Sequence, residues 1–260
     1  MEALYGLVGH PLGHSYSQRF FRDKFRAEGI DADYLNFDID DIRQLPMLVA
    51  AHPLLRGLNV TIPYKEKVMD MLDEVSSLAR RIGAVNVIVI DRTEDGRKIL
   101  SGYNTDCPGF GSAIDVFAAA HPREYDGEGD NVQALVLGTG GACKAVTTAL
   151  KMRGIEPTIV SRTAGEGRIT YADLTPEVMK AHCLVVNTTP LGTSPNTDTA
   201  PDIPYHLLTP RHIAVDVVYN PAVTLFMRRC AEQGCTVKNG FDMLHSQALL
   251  SWRLWNLQPI

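Results

Sequence analysis

Short apolar runs alternate along this chain with stretches of helical period, the pattern of strands interleaved with helices. Leu4-Tyr5-Gly6-Leu7-Val8 predicts a strand. A glycine-rich turn, Gly9 to His14, separates it from a helix over Gln18 to Ala27 that Ser15 or Ser17 can cap. Tyr34 to Phe37 predicts a second strand and Arg43 to Ala51 a helix. Gly57 to Ile62 reads as a buried strand ended by Pro63, because proline lacks the ladder donor. Lys65 to Leu72 has helical spacing. Ala84 to Ile90 and Lys98 to Gly102 read as paired strands joined by a turn at Glu94-Asp95-Gly96, and Asp106 opens a helix to about Ala119.

The polar stretch from His121 to Asn131, with two glycines and a proline, breaks the pattern and marks the edge of a second unit. Val132 to Leu137 is then a strand, apolar except for Gln133, and a glycine turn leads into a helix ending near Gly154. Pro157 to Ser161, Cys183 to Asn187, Ile213 to Val217 and Cys235 to Lys238 predict further strands with helical or loop segments between them. Such alternation implies an α/β fold with a parallel, doubly wound sheet. Gly240 to Leu257 is a long final helix with Phe241, Leu244, Ala248 and Leu249 on one face.

Composition narrows the function classes. The 260 residues suffice for two modest domains, and 45% hydrophobic with 21% charged residues is ordinary for a globular chain. The net charge is -5, and basic residues never cluster beyond a pair such as Arg228-Arg229, which argues against a nucleic-acid partner. Five cysteines, an odd count without a CxxC pair, point to reduced thiols and a cytoplasmic protein. The N-terminus lacks a basic leader region, and no apolar run approaches the length that spans a membrane.

Candidate chemistry gathers at predicted strand ends. Asn59 and Thr61 are two apart and share a strand face, and Lys65 follows at the turn. Ligands bind at strand ends in α/β folds, so these groups are expected to converge on a cleft; the plain alternative is a solvated lysine. Gly138-Thr139-Gly140-Gly141-Ala142-Cys143 approximates GxGxxG between a strand and a helix, with Cys143 as the small last residue. Glycines there let backbone N–H groups approach a pyrophosphate at the helix N-terminus. The next strand ends in Ser161-Arg162-Thr163, starting 23 residues after Gly138. A dinucleotide site of the NAD type commonly has an acid there; Arg162 is either suited to a 2′-phosphate or a surface arginine. Asp106, with Pro108 close behind it, reads as an N-cap that could turn its other oxygen into a cleft. His10 and His14 straddle a Pro/Gly turn and share no helical face, so no metal site is expected.

Taken in order, these motifs resemble those of the shikimate dehydrogenases over almost the whole chain. They are Gly9-His-Pro-Leu-Gly-His-Ser15-Tyr-Ser17, Asn59-Val-Thr61-Ile-Pro-Tyr-Lys65, Gly83-Ala-Val-Asn86 and Gly102-Tyr-Asn-Thr-Asp106. Gly138-Thr-Gly-Gly-Ala142, Asn187-Thr-Thr-Pro190, Asp216-Val-Val-Tyr219-Asn-Pro and Gly240-Phe-Asp-Met-Leu-His-Ser-Gln247 complete the set. The resemblance implies an N-terminal α/β substrate domain (1–107 with 240–260) and a Rossmann-type NADP domain (108–239), with the last helix returning to the first. It implies reversible reduction of 3-dehydroshikimate to shikimate by an enzyme that is a monomer or homodimer. Lys65 and Asp106 would be the catalytic pair, and Ser15 and Ser17 would hold the substrate carboxylate. Thr61, Asn86, Asp106 and Gln247 would hold the ring hydroxyls, with Tyr219 also in the substrate set. The cofactor set would be Gly138, Thr139, Gly140, Gly141, Ala142, Ser161, Arg162, Thr163, Thr188 and Gly240. Thr193 stands where the family usually has methionine, Ser161 replaces the usual asparagine, and Glu166 sits where a second basic residue often follows. A dual quinate/shikimate dehydrogenase and a non-catalytic ligand sensor are the alternatives; intact Lys65 and Asp106 speak against the sensor.

Overall fold

The computed structural model describes residues 1–13, 15–120 and 132–256. His14, the polar loop His121 to Asn131 and the end of the predicted last helix at Leu257 lie outside the described residues. The chain divides into one unit of Met1–Thr105 with Ala248–Ile260 and another of Asp106–Gln247.

The first unit is built on a six-stranded mixed sheet in the order β2-β1-β3-β5-β6-β4. Its strands are β1 (Ala3–Gly9), β2 (Ala32–Asp38), β3 (Leu55–Val60), β4 (Glu74–Val75), β5 (Val87–Arg92) and β6 (Lys98–Tyr103). β1, apolar on both faces, pairs in parallel with β2 and β3; β5 and β6 form the antiparallel hairpin expected around Glu94-Asp95-Gly96. Helix α1 (Tyr16–Glu28) lies over one face, where Tyr5, Phe21, Phe25, Tyr34 and Trp255 form an aromatic core. Helix α2 (Leu45–Ala51) covers the other, with Leu45, Leu48, Leu55, Leu58 and Val60 buried there. Gly57 is required by close approach: a Cβ there would stand 2.2 Å from the Trp255 indole nitrogen, which donates to the Ile88 carbonyl at 3.0 Å.

Three local expectations change in the first unit. β3 ends at Val60, so Thr61 lies just beyond the strand; its N–H donates to the Val8 carbonyl at 2.9 Å, outside the regular ladder. The stretch after Lys65 forms only a 3-10 turn, Lys67–Met71, and the expected helix from Arg43 splits into a 3-10 turn followed by α2. In both, the apolar period is met but the segment is too short for the three or four turns of a usual α-helix. The two-residue strand β4 and helix α3 (Ser77–Ile82), capped by Ser76 and stopped by Gly83 in the left-handed conformation, carry too few apolar positions to show a period.

The second unit holds a parallel six-stranded sheet in the order β12-β11-β10-β7-β8-β9. Its strands are β7 (Gln133–Leu137), β8 (Glu156–Ser161), β9 (Arg168–Thr170), β10 (Leu184–Asn187), β11 (Ile213–Asp216) and β12 (Thr236–Lys238). The chain enters at β7 in the middle, builds one side through β8 and β9, then returns to build the other from β10 outward. The switch point falls between β7 and β10, where doubly wound sheets open a crevice at the strand ends. The helices are α4 (Asp106–Ala120), α5 (Gly141–Lys151), α6 (Pro176–Ala181), α7 (Leu225–Glu232) and the start of α8 (Phe241–Asn256). Leu135, Leu137, Val160, Val185 and Phe226 are at its core. β9 was not expected, being three residues flanked by glycine and a capping box.

Candidate functional site

Backbone hydrogen bonds gather the polar residues of the first unit at the end of β3. Val60 N–H donates to the Asn86 carbonyl at 2.8 Å, and Val85 N–H donates to the Lys65 carbonyl at 2.7 Å. The turn after β3 is thereby tied to the segment before β5, so Thr61, Lys65 and Asn86 are brought together from positions up to 25 residues apart. Lys65 lies in the turn, half-buried, with Pro63 preceding it and the 3-10 turn following.

Asn86 reaches the next segment with its side chain. Its Oδ1 accepts from the Thr105 backbone N–H at 2.7 Å, and its Nδ2 donates to Thr105 Oγ1 at 3.0 Å. Both ends of one amide therefore hold the residue that directly precedes Asp106. Asp106 is buried and is the first residue of α4, where a carboxylate meets the helix N-terminus.

The serines sit at the start of α1. Ser15 is the N-cap, its Oγ accepting from Gln18 N–H at 3.4 Å, which leaves its own hydroxyl proton for another acceptor. Ser17, on the first turn, is buried and hydrogen-bonds the Tyr34 phenol, whose pKa burial drives well above its ordinary value. Tyr34 in turn donates to Asn59 Oδ1 at 2.8 Å. Ahead of these serines, Asp38 steadies the glycine-rich turn: it accepts from Leu12 N–H at 2.9 Å and pairs with His10 Nδ1 at 2.7 Å. Those bonds hold the Asp38 carboxyl below its ordinary pKa.

In the second unit, Gly109 lets α4 approach α8, since a Cβ there would stand 3.1 Å from Gln247 N and Met243 O. Gln247 is buried, and its Nε2 donates to the Leu244 carbonyl at 2.9 Å. Tyr219, half-buried, follows Val218, whose N–H donates to Asp216 Oδ1 at 3.0 Å. Gly240 N–H donates to the Val218 carbonyl at 3.1 Å, and a Cβ at Gly240 would stand 2.1 Å from Val217 O, so only glycine fits.

The glycine turn follows β7 at the switch point. Gly138 has φ of 118°, and a Cβ there would meet Thr188 Oγ1 at 2.8 Å. Thr188 comes from the end of β10, where its N–H and its hydroxyl both donate to the Leu137 carbonyl, the latter at 2.6 Å. Gly140 is the N-cap of α5 and has no side chain to bond the first-turn N–H groups; Thr139, Gly141 and Ala142 complete the turn. These features fit a dinucleotide pyrophosphate: small residues, a left-handed glycine, and a helix N-terminus at the crevice. Cys143 is buried and its thiol is pushed up to about 11 by burial, so it serves as a small packing residue.

At the end of β8, Ser161 is buried and its Oγ accepts from Thr163 N–H at 3.3 Å, while Arg162 and Thr163 are exposed. Sequence reading passed over Arg168, on neighbouring β9: its N–H donates to the Gly165 carbonyl at 3.3 Å, and Gly165 leaves room for its guanidinium. Glu166 is exposed between them. Thr193 lines a cavity of about 560 Å³ in the loop after β10, together with Leu191, Pro195 and Thr199. Among the described residues, no group of His, Cys, Asp and Glu could hold a metal ion, and no helix is long and apolar enough to cross a membrane.

Residues 7–88 match the family model described as the shikimate dehydrogenase substrate binding domain. A shikimate dehydrogenase (NADP(+)) of Carboxydothermus hydrogenoformans is 36% identical, over 97% of this chain and 91% of that protein. One of Symbiobacterium thermophilum is 37% identical, over 96% of this chain and 87% of that protein. Among solved structures, shikimate 5-dehydrogenase of Thermus thermophilus, in complex with NADP(H) and shikimate, superposes with a TM-score of 0.81. It is 32% identical, and the match covers 99% of this chain and 95% of that one.

Proposed function

The chain belongs to the shikimate dehydrogenase family, and from that premise we propose that it is an NADP-dependent oxidoreductase that reversibly reduces 3-dehydroshikimate to shikimate. The observation that carries this reading is the gathering of Thr61, Lys65 and Asn86 at one strand end, in a chain alike over 97% of its length to an NADP(+) shikimate dehydrogenase. Shikimate is a small polyhydroxylated acid. Hydroxyls, amides and an ammonium are the side chains that discriminate such a ligand, because a missing partner leaves buried polar groups unpaired.

Residues 1–107 with 240–260 take the substrate, and 108–239 take the dinucleotide. When bound, the reduced cofactor NADPH would supply the hydride that reduces the ketone carbon and would leave as NADP+. Lys65 gives a proton to the oxygen that becomes the hydroxyl, and Asp106, the other member of the pair, accepts from that hydroxyl once it has formed. Ser15 and Ser17 meet the carboxylate; Thr61, Asn86, Asp106 and Gln247 meet the ring hydroxyls, with Tyr219 beside them. Gly138, Thr139, Gly140, Gly141, Ala142 and Thr188 cradle the pyrophosphate side of the cofactor, Ser161, Arg162 and Thr163 its 2′-phosphate, and Gly240 admits its other end. All five cysteines are free thiols and four are buried, which supports a reducing, cytoplasmic setting for a monomer or homodimer.

The test is the absorbance of reduced cofactor formed from shikimate, with NADP and NAD compared by kcat/KM. Turnover with a ratio favouring NADP is expected. No reduced cofactor from shikimate with either dinucleotide overturns the reading.

A further inference from the structure

The proposed substrate unit contains a hydrogen-bonded chain of side chains that passes through the last helix. Tyr34 donates to Asn59 Oδ1 at 2.8 Å, and Asn59 Nδ2 donates to Ser251 Oγ at 3.0 Å. Ser251 Oγ lies 3.3 Å from Thr105 Oγ1, and Thr105 is held by both ends of the Asn86 amide. Asn59 Nδ2 also reaches the Asn86 carbonyl at 3.4 Å. The five residues come from β2, β3, the segments before β5 and α4, and α8, and none is more than 4% exposed.

We propose that Ser251 is a positioning residue for the reaction, bridging Asn59 and Thr105 so that Asn86 and the adjacent Asp106 keep the geometry that catalysis needs. The proposal rests on the reading of Asn86 and Asp106 given above. The donor count supports a specific role for Ser251. The Asn86 carbonyl can only accept, so the end of Asn59 that faces it is the NH2 group. That group has two protons, and its second goes to Ser251 Oγ, the shorter of its two bonds. An alanine at 251 leaves the Asn59 NH2 group only its longer bond, to the Asn86 carbonyl, and takes one contact from the Thr105 hydroxyl, which keeps its bonds to Asn86. The Asn59 amide, still bonded to Tyr34, and the Thr105 hydroxyl, still bonded to Asn86, then lose the side chain that links them, in a region buried away from bulk solvent. A shift near 1 Å at a catalytic group is enough to lower a rate by about a hundred-fold.

The experiment compares steady-state turnover of wild type, Ser251→Ala, Thr105→Val and Thr105→Ser on the full chain, well below their measured melting temperatures. Wild-type turnover of shikimate is established first; without it the functional reading fails and not this inference. For Ser251→Ala we expect kcat to fall about ten-fold or more, with KM for NADP within about two-fold. Thr105→Val, which removes the hydroxyl at nearly constant shape, should copy that split, and Thr105→Ser, which keeps it, should restore kcat to within about three-fold of wild type. A lower melting temperature with unchanged kcat in both Ser251→Ala and Thr105→Val overturns the proposal, because the chain would then hold only the fold. Equal losses in Thr105→Val and Thr105→Ser also overturn it, since the hydroxyl would not be the active feature.

Discussion

Polar groups are buried in both units, but they are put to different use. In the first unit they are side chains bonded to side chains, Tyr34 to Asn59 to Ser251 to Thr105 to Asn86, and the candidate ligand contacts Ser17 and Asn86 lie along that chain. In the second unit the candidate pyrophosphate contacts are mainly backbone, at Gly138 to Ala142, and buried side chains stand behind them. Asp216 is the centre of that support. Its Oδ1 accepts from Asn187 Nδ2 and Val218 N–H, both at 3.0 Å, and its Oδ2 accepts from the Thr224 hydroxyl at 2.6 Å. Asn187 Oδ1 then takes the N–H and hydroxyl of Thr189. Asp216 thus ties the loops after β10 and β11 without offering an atom to a ligand. A polyol needs side-chain donors and acceptors aimed one by one, whereas a pyrophosphate needs a row of N–H groups, so one unit fixes side chains and the other fixes loops.

If that contrast is right, deleting a side chain in the first unit should stop chemistry and leave folding intact. Lys65→Ala is the strongest case. Turnover should fall about a hundred- to ten-thousand-fold, the worth of a positioned proton donor, with a smaller change in substrate binding. The Lys65 carbonyl keeps its bond to Val85 N–H, so melting should move little. Steady-state kinetics beside a melting curve checks both halves. Near-native turnover would return Lys65 to the status of a solvated lysine.

The second unit should show the reverse, a change in stability without loss of a catalytic atom. Burial pushes the Asp216 carboxyl up to about 6 from 3.8, against the pull of its three hydrogen bonds. Between those values the folded chain holds a proton that the unfolded chain has released. Stability therefore falls as pH rises from about 4 to about 6 and levels off above, by about 3 kcal/mol for a shift of this size. Asp216→Asn keeps an acceptor for Asn187 and Val218 and cannot titrate. Urea unfolding at several pH values should show wild type losing stability relative to the variant across that window. Parallel curves would mean that Asp216 titrates as an ordinary carboxyl.

What could be read from the sequence follows the same division. The strand-and-turn frame and the motif residues were legible, because Gly138 after an apolar strand and Asn59 to Lys65 before a proline break are local signals. The parallel, doubly wound sheet was legible from alternation alone. Tyr34 and Ser251 were not. Each looked like one more position of a strand or a helix, and their partners stand 25 and 192 residues from them. The end of β3 was misjudged because Thr61 and Ile62 have good strand propensity, and only the turn bond from Tyr64 N–H to the Thr61 carbonyl reveals the break. Arg168 went unseen because β9 is three residues long, too short to show a strand period beyond Glu166.

Arg162 is where the contrast can be broken, because it is a side chain proposed to read a dinucleotide whose pyrophosphate is met mainly by backbone. It stands exposed where β8 ends, at the position where an acid would select the unphosphorylated ribose. A guanidinium can take a 2′-phosphate through two parallel N–H bonds. Arg162→Ala should weaken NADP by about 1.5–3 kcal/mol, roughly ten- to a hundred-fold, and leave NAD almost unchanged, since NAD has no phosphate at that place. The measurement is Kd for each cofactor by titration of intrinsic fluorescence, in wild type and variant. Arg168 makes the result interpretable. It is the nearest basic residue along the chain, two residues past Glu166 and packed against Gly165. If Arg162→Ala leaves NADP binding intact and Arg168→Ala removes it, the reader is the arginine on β9 and the contrast stands with a different residue as its exception. If both cofactors weaken equally in Arg162→Ala, the arginine shapes the turn and reads nothing, and the second unit recognises its ligand by backbone alone.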